Sequence, residues 1–424
     1  LADGGQVILD PSSMVANGGE ILVLGTPTTL WPPGANRRSP PRSQREAVGV
    51  VVDASGRARI VPPPLERETF MARATRAEPG AWDVLFFTTS VERPLMQHVF
   101  DSATIWTGRF EGTRWQNVRP VAEVRDARLL PDHSSELVRH RNELRFAYSF
   151  QHRLAEGARP YQWPGIAMLR GRDGTWRIDT LLLRPGAARS VHLAPAGDTA
   201  TMVIYAAEYF RPGYIGSNAL HAAVHTDRWG PASVVVRDSG MHLDILKVSA
   251  IPRGWTMSWR REYTQNTTVA PDSLRWGRLL GDQRVERAFT IEENLPAARP
   301  ALIEYPPGRT VLVTADPVKR VLRAYLEGDA KVTPLAEFQA PVSLPRLRSV
   351  VLDSTRAALW TTSQGTDEAE PFIASHLVLV RLHCDSTRAR QRSIPSSRRG
   401  RANAIVPLAA AGPGDMRRRD HRLP

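Results

Sequence analysis

Apolar and polar positions alternate with a period of two in short runs along the whole chain. No stretch of useful length carries the 3.6-residue period of a helix. The clearest run is 166–183, IAMLRGRDGTWRIDTLLL, where two apolar segments flank Arg172-Asp173-Gly174-Thr175-Trp176. Asp-Gly between strand-like runs predicts a tight hairpin, because a two-residue turn needs positive φ, which glycine supplies at little cost. Six further segments have this shape. They are 48–62 about Asp53-Ala54-Ser55-Gly56, 104–121 about Glu111-Gly112, and 220–236 about Thr226-Asp227. The others are 273–291 about Gly281-Asp282, 321–338 about Glu327-Gly328-Asp329, and 376–395 around Cys384-Asp385-Ser386.

A second strand pair precedes each hairpin: 136–140 with 143–149, 191–194 with 199–205, 245–249 with 254–259, 301–305 with 310–314, and 349–352 with 357–360. The first two units pair less regularly, 7–9 with 20–24 and 70–72 with 83–87. Four strands per unit at a spacing of roughly 50 residues, without crossover helices, predict an all-β fold, a β-propeller of seven four-stranded blades. Six blades follow if the first unit is partial, and an array of β-sandwiches is the competing architecture. Stacked blades bury both faces of each sheet, so one repeat array absorbs a length that would otherwise imply two or three domains. The expected boundaries are 1–395 for the propeller and 396–424 for a disordered Arg-rich tail.

Naming the strands of a blade a to d from the channel outward, a–b and c–d turns share one face, and b–c loops with d–a connections share the other. The a–b and c–d turns are short and rich in Gly and Asp. The b–c loops at 26–47, 88–103, 151–164, 206–218, 260–272 and 361–375 are long and chemically varied. Long loops on a rigid scaffold are where binding residues concentrate. In the third loop Arg153 stands beside Gln151 and His152; in the fourth, Glu208, Tyr209, Arg211 and Tyr214 mix aromatic faces with charge. Rings that stack and charges that orient polar substituents suit a sugar or a peptide. The plain alternative is aromatics that pack each loop onto its own blade. In the fifth loop Tyr263 follows Glu262, with Arg260 and Arg261 before them, a pairing suited to a glycosidase nucleophile or to a solvated loop.

Charge changes the picture less than its total suggests. The net charge is +13 over 424 residues, but residues 386–424 hold ten arginines against Asp415 and Asp420. That leaves +5 for residues 1–385, so a polyanion-binding property belongs to the tail, and no specific nucleic-acid partner is expected. There is no run of ~18 apolar residues that would span a membrane. Cys384 is the only cysteine, so no intrachain disulfide forms. His133, His140, His152, His221, His225 and His242 lack metal-ligand spacing; His221 and His225 would lie ~13 Å apart along one side of a strand. No cofactor fingerprint is present, and neither metal nor cofactor is expected.

Asp173-Gly174-Thr175-Trp176 resembles the Asp box of sialidase-like propellers, Ser-x-Asp-x-Gly-x-Thr-Trp, without the spacer between Asp and Gly. Glu111-Gly112-Thr113-Arg114-Trp115 and Asp227-Arg228-Trp229-Gly230 are fainter copies. In that family the box stabilises turns far from the substrate, so the resemblance implies fold before function. It also implies, for an active member, three arginines on a substrate carboxylate and a Tyr nucleophile paired with a Glu, the roles Tyr263 and Glu262 would fill. The family's Arg-Ile-Pro motif is not matched: Arg59-Ile60-Val61-Pro62 has an extra valine and lies on an outer strand. The resulting expectation is a sialidase-like propeller, monomeric and secreted or periplasmic. It would bind a glycan or protein ligand through Arg153, Glu208, Tyr209, Arg211, Tyr214 and Arg261. An exo-acting glycoside hydrolase of sialidase type is the alternative.

Overall fold

The computed structural model describes residues 8–28, 48–67, 69–89, 103–124, 127–152, 164–182, 187–196, 200–211, 214–238, 241–251, 254–263, 273–281, 283–293, 301–305, 309–316, 319, 321–327, 332–339, 347–363, 374–381 and 405–406. Every regular element among them is a strand. The strands form seven antiparallel sheets, each contiguous in sequence and ordered a-b-c-d.

Blade 1 comprises Ile8–Asn17, Glu20–Thr28, Gly49–Val52 and Ala58–Val61. Blade 2 comprises Phe70–Arg76, Ala81–Thr89, Ala103–Glu111 and Arg114–Val124. In blade 3 the inner strand is split into Ala127–Ser134 and Val138–His140, followed by Glu143–His152, Pro164–Arg172 and Thr175–Leu182. Blade 4 holds Ala187–Ala196, Ala200–Arg211, Tyr214–His225 and Ser233–Arg237; blade 5 holds Met241–Ile251, Gly254–Tyr263, Ser273–Leu279 and Val285–Glu293. Blade 6 holds Ala301–Tyr305, Arg309–Asp316, Val321–Glu327 and Val332–Gln339. Blade 7 holds Leu347–Val351, Arg356–Ser363, Ala374–Arg381 and the pair Ile405–Val406.

Seven apolar clusters sit between neighbouring blades, and they decide between six blades and seven. Alternate residues of one strand serve two interfaces, as the period of two requires. In strand b of blade 1, Leu22 and Leu24 pack against Trp82 and Phe86 of blade 2, while Ile21 and Val23 pack against Ala358 and Trp360 of blade 7. In strand b of blade 4, Val203 and Tyr205 face blade 3, whereas Met202, Ile204 and Ala206 face blade 5. The first and last blades thus meet through side chains, and the ring of seven closes.

The turns bear out their residue types. Asp173 (φ 47°) and Gly174 (φ 82°) both take the left-handed conformation between paired Arg172 and Thr175, a two-residue turn of the mirror-image class. Trp176 lies across the sheet from Gly171, where a Cβ would come within 2.6 Å of the indole ring. The bare glycine is what lets the ring lie flat on the sheet. In blade 1 the Asp53 carboxylate accepts from Ser55 N (2.8 Å), Ser55 Oγ (2.6 Å) and Arg57 N (3.0 Å), which holds its pKa below the usual range.

Three features differ from the sequence reading. The first unit is the full blade that seven blades require, but its pairing is shifted: 8–11 pair with 25–28 and 13–17 with 20–24, where 7–9 were expected against 20–24, and a bulge between Pro11 and Ser13 absorbs the polar interruption. The fourth b–c loop is mostly strand, since Arg211 pairs with Tyr214 at the tip of a long hairpin. The outer strand of blade 7 is Ile405–Val406, paired with Leu377 and Val378, and falls within the stretch read as a tail. The turn expected at Cys384-Asp385-Ser386 lies outside the described residues.

Candidate functional site

The described candidates of blades 4 and 5 lie toward the b–c ends of their strands, on different footings. Glu262 and Tyr263 are the last two residues of strand b of blade 5 and pair with His242 and Met241 at the start of the inner strand. Arg261 precedes them, and its guanidinium is 2.5 Å from the Asp238 carboxylate. The pair ties this strand end to the connection between blades 4 and 5 and leaves the guanidinium partly exposed. Glu208 of strand b in blade 4 pairs with Ala187 of the inner strand and lies opposite a bulge in strand c, Tyr209 pairs with Gly216, and Arg211 with Tyr214. Arg153 lies outside the described residues. His221 and His225 sit on strand c of blade 4; His225 is fully buried, with Nε2 3.2 Å from Asp179 and its ring edge-on to Trp229. It ties blade 4 to blade 3.

A second constellation, which the sequence reading passed over, occupies the central channel. The inner strands of blades 1, 2, 3, 4 and 5 each break register near their middle: at Pro11/Ser13, at Phe70/Arg73, between Ser134 and Val138, at Arg189/His192 and at Ile245/Lys247. A bulge adds a residue, bends the strand and re-aims side chains, and here it frees polar groups to reach the next blade. Ser12 Oγ donates to Ala72 O (2.8 Å), and Arg73 Nε donates to Ser135 O (3.0 Å). His192 Nε2 lies 3.2 Å from Ile245 O, and Ser190 Oγ donates to the Asp244 carboxylate. Four blade-to-blade bonds therefore run around the channel wall at the bulges.

Glu136, in the split of the blade 3 inner strand, is the centre of this belt. Arg348 of blade 7 reaches across the channel and places Nη1 3.0 Å from its Oε1, and Ser13 Oγ is 3.5 Å from its Oε2. Blades 3 and 7 are not neighbours, so the pair spans the channel. Burial pushes the Glu136 carboxyl upward, but Arg348, Lys247, Arg73 and His192 outweigh it and hold the pKa below the ordinary carboxylate range. Burial and the Lys247 charge depress His192 to about 4, leaving it neutral at pH 7. Lys247 is itself lowered by burial, against the pull of Glu136.

Between Glu136 and the a–b end of the channel opens a cavity of about 520 Å³. Its lining includes Arg76, Arg139, Arg141, Lys247 and Arg348, with Glu136 as the one carboxylate. The cavity lies on the face that the hairpin register assigned to scaffold turns. The sequence did carry a signal for it. An inner strand has two apolar neighbours, so Arg73, Glu136, Lys247 and Arg348 within such strands are out of pattern and have to face the channel. Among the described residues no group of three His, Cys, Asp or Glu side chains could hold a metal ion, and no helix is long and apolar enough to cross a membrane.

No family model matches the sequence, and no curated protein matches it. Solved structures do share the architecture. The chain is similar to the polysaccharide lyase Uly1 (8% identity, 88% of this chain and 90% of that one, TM-score 0.59). It is similar to an ulvan lyase of polysaccharide lyase family PL25 (8% identity, 88% and 92%, TM-score 0.53). It is similar also to the hydrazine synthase of Kuenenia stuttgartiensis (9% identity, 90% and 98%, TM-score 0.52). At such identities the likeness is one of fold, and the unrelated chemistries of these proteins show that the fold alone does not select a reaction. The chain is a seven-bladed β-propeller.

Proposed function

We infer that this propeller binds a glycan at its b–c face, with Arg153, Glu208, Tyr209, Arg211, Tyr214 and Arg261 as the ligand contacts. The observation that carries the reading is the arrangement of blades 4 and 5. The hairpin tip bearing Arg211 and Tyr214 and the strand end bearing Arg261, Glu262 and Tyr263 belong to neighbouring blades and rise at the same end. Rings to stack on sugar faces beside charged groups to orient hydroxyls or carboxylates make up such a site. Two of the three similar structures named above are polysaccharide lyases, which adds that a fold like this one serves carbohydrate chemistry elsewhere. The protein acts as a secreted or periplasmic monomer in this reading.

The test is a glycan array probed with the purified protein and with the double variant Tyr209→Ala/Tyr214→Ala. Saturable binding to a defined glycan class that the variant loses supports the reading. Binding to a protein ligand with no glycan signal, or glycan binding untouched by the variant, refutes it. Hydrolysis of the sialidase type is the second reading. It draws on Glu262 and Tyr263 ending a strand beside the channel-lining strand, and Arg261's pairing with Asp238 weighs against it. Release of a fluorogenic sialoside, abolished by Tyr263→Phe, is its requirement.

A further inference from the structure

We propose that the a–b end of the central channel is a second binding site, for a ligand bearing an oxyanion: a sulfate, phosphate or carboxylate group, free or carried on a sugar. The site lies on the opposite face from the glycan contacts above and stands independently of them.

Three observations carry it. The first is shape. The cavity measures about 520 Å³ and is lined by residues in or beside the inner strands of blades 1, 2, 3, 5 and 7, so it is an open-mouthed recess to which five blades contribute. That volume matches a small molecule of one or two sugar rings. The second is charge. Five cationic side chains, Arg76, Arg139, Arg141, Lys247 and Arg348, line it against the single carboxylate of Glu136. Arg139 is further balanced by Asp83, outside the lining. Within the lining cations outnumber carboxylates five to one, and a recess so lined concentrates counter-ions. Guanidinium groups from separate strands suit the planar or tetrahedral oxygens of carboxylate, sulfate and phosphate, which they grip in charge-assisted hydrogen bonds.

The third observation is construction. The cations come from blades 2, 3, 5 and 7; four lie in inner strands that elsewhere carry apolar residues, and Arg141 directly follows one. Glu136 holds Arg348 at 3.0 Å and draws on Lys247 and Arg73 as well, so the carboxylate acts as an internal counter-ion that keeps the cations gathered at one level of the channel. An incoming anion competes with Glu136 for Arg348 and Lys247. This arrangement makes a prediction of unusual sign: neutralising Glu136 strengthens anion binding, whereas neutralising a rim cation weakens it.

The experiment is calorimetric titration of the full chain with sodium sulfate, glucose 6-sulfate and glucuronate at fixed ionic strength, with glucose as the neutral control. The variants are Arg76→Gln/Arg141→Asn and Glu136→Gln. Asn is chosen at position 141 because that residue has φ 53°, which Asn tolerates. Both rim residues are exposed, so this variant should keep the wild-type melting temperature. Expected are saturable binding of at least one anion, none of glucose, a loss of tenfold or more in the rim variant, and a severalfold gain in Glu136→Gln. Glucose 6-sulfate binding more tightly than sulfate identifies a sugar-borne group, and equal affinities identify a free anion. If none of the three anions binds saturably, or the rim variant binds as the wild type does, the proposal is overturned. Should Glu136→Gln fail to fold, Lys247→Gln replaces it, with a tenfold loss expected and no change refuting.

Discussion

Every blade is contiguous in sequence, so six of the seven blade interfaces are spanned by a chain connection and the contact between blades 7 and 1 is not. That contact depends on packing of Ile21, Val23, Val50 and Val52 against Ala358, Trp360 and Leu377. Trp360 is its largest member and is 3% exposed. Truncating it to alanine returns about 200 Å² of apolar surface to the balance sheet, or about 5 kcal/mol at 25 cal/mol per Å². Large aromatic-to-alanine changes in cores cost about 3–5 kcal/mol once the site has relaxed. The indole Nε1 is buried with no hydrogen-bond partner among the described residues, so no polar bond is lost and the lower half of that range applies. Trp259→Ala is the control, since that residue is also 3% exposed but lies at the chain-spanned contact of blades 4 and 5. Urea unfolding should show comparable losses for both variants. Native-state hydrogen exchange should separate them, with Trp360→Ala deprotecting strands of blades 1 and 7 well before the rest, because no linker holds that seam together. Uniform deprotection around the ring, or a loss below about 1 kcal/mol, would refute the packed-seam account.

Three further outcomes follow from the geometry. Gly171→Ala drives a methyl into the Trp176 ring at 2.6 Å and should cost about 1–3 kcal/mol, with a red shift in tryptophan emission as the ring lifts from the sheet; unchanged emission and stability would refute the close packing. His192 is neutral in the fold with a pKa depressed to about 4, while the unfolded chain protonates near 6.5. Between those values the unfolded state binds the extra proton, so stability falls as pH drops through the window, by at most about 1.4 kcal/mol per unit and less given partial solvent contact. His192→Gln should flatten urea stability between pH 6.5 and 4.5, below which protonation of Glu136 adds its own loss in both proteins; an unaltered slope would count against a buried neutral imidazole. Arg145 is 4% exposed and bonds the Glu143 carboxylate (2.5 Å) and Thr201 Oγ1 (2.7 Å) between blades 3 and 4. Arg145→Met leaves Glu143 with Arg170 alone and should lower stability by about 3 kcal/mol in thermal unfolding at pH 7. Burial raises the Glu143 carboxyl, but Arg170 and Arg145 outweigh it and hold it below its ordinary value, so the drop shrinks only as the pH falls below the ordinary glutamate range.

The repeat was legible in the sequence because hairpins and alternation are local. Asp173-Gly174 and Asp53 through Gly56 specify turns from their own backbone chemistry, and runs such as 21–24 and 202–206 are apolar on both faces because a blade has a neighbour on each side. From these the four-strand unit and the order within each blade follow, whereas the choice of seven blades over six rests on the packing of blade 1 against blade 7. Tertiary structure decided what depends on distance. Glu136 and Arg348 are 212 residues apart, and nothing in either neighbourhood announces the other. The inner-strand bulges arise where polar side chains find carbonyls on the next blade, so Ser12 and Arg73 read as interruptions until Ala72 O and Ser135 O stand opposite them. Ile405–Val406 completes blade 7 by pairing with the outer edge of strand c, a partner 27 or more residues back in the chain that no local pattern points to. Alternation is a property of the chain, whereas the charged channel is a property of the ring, created where strands from blades 2, 3, 5 and 7 turn their exceptions toward one axis.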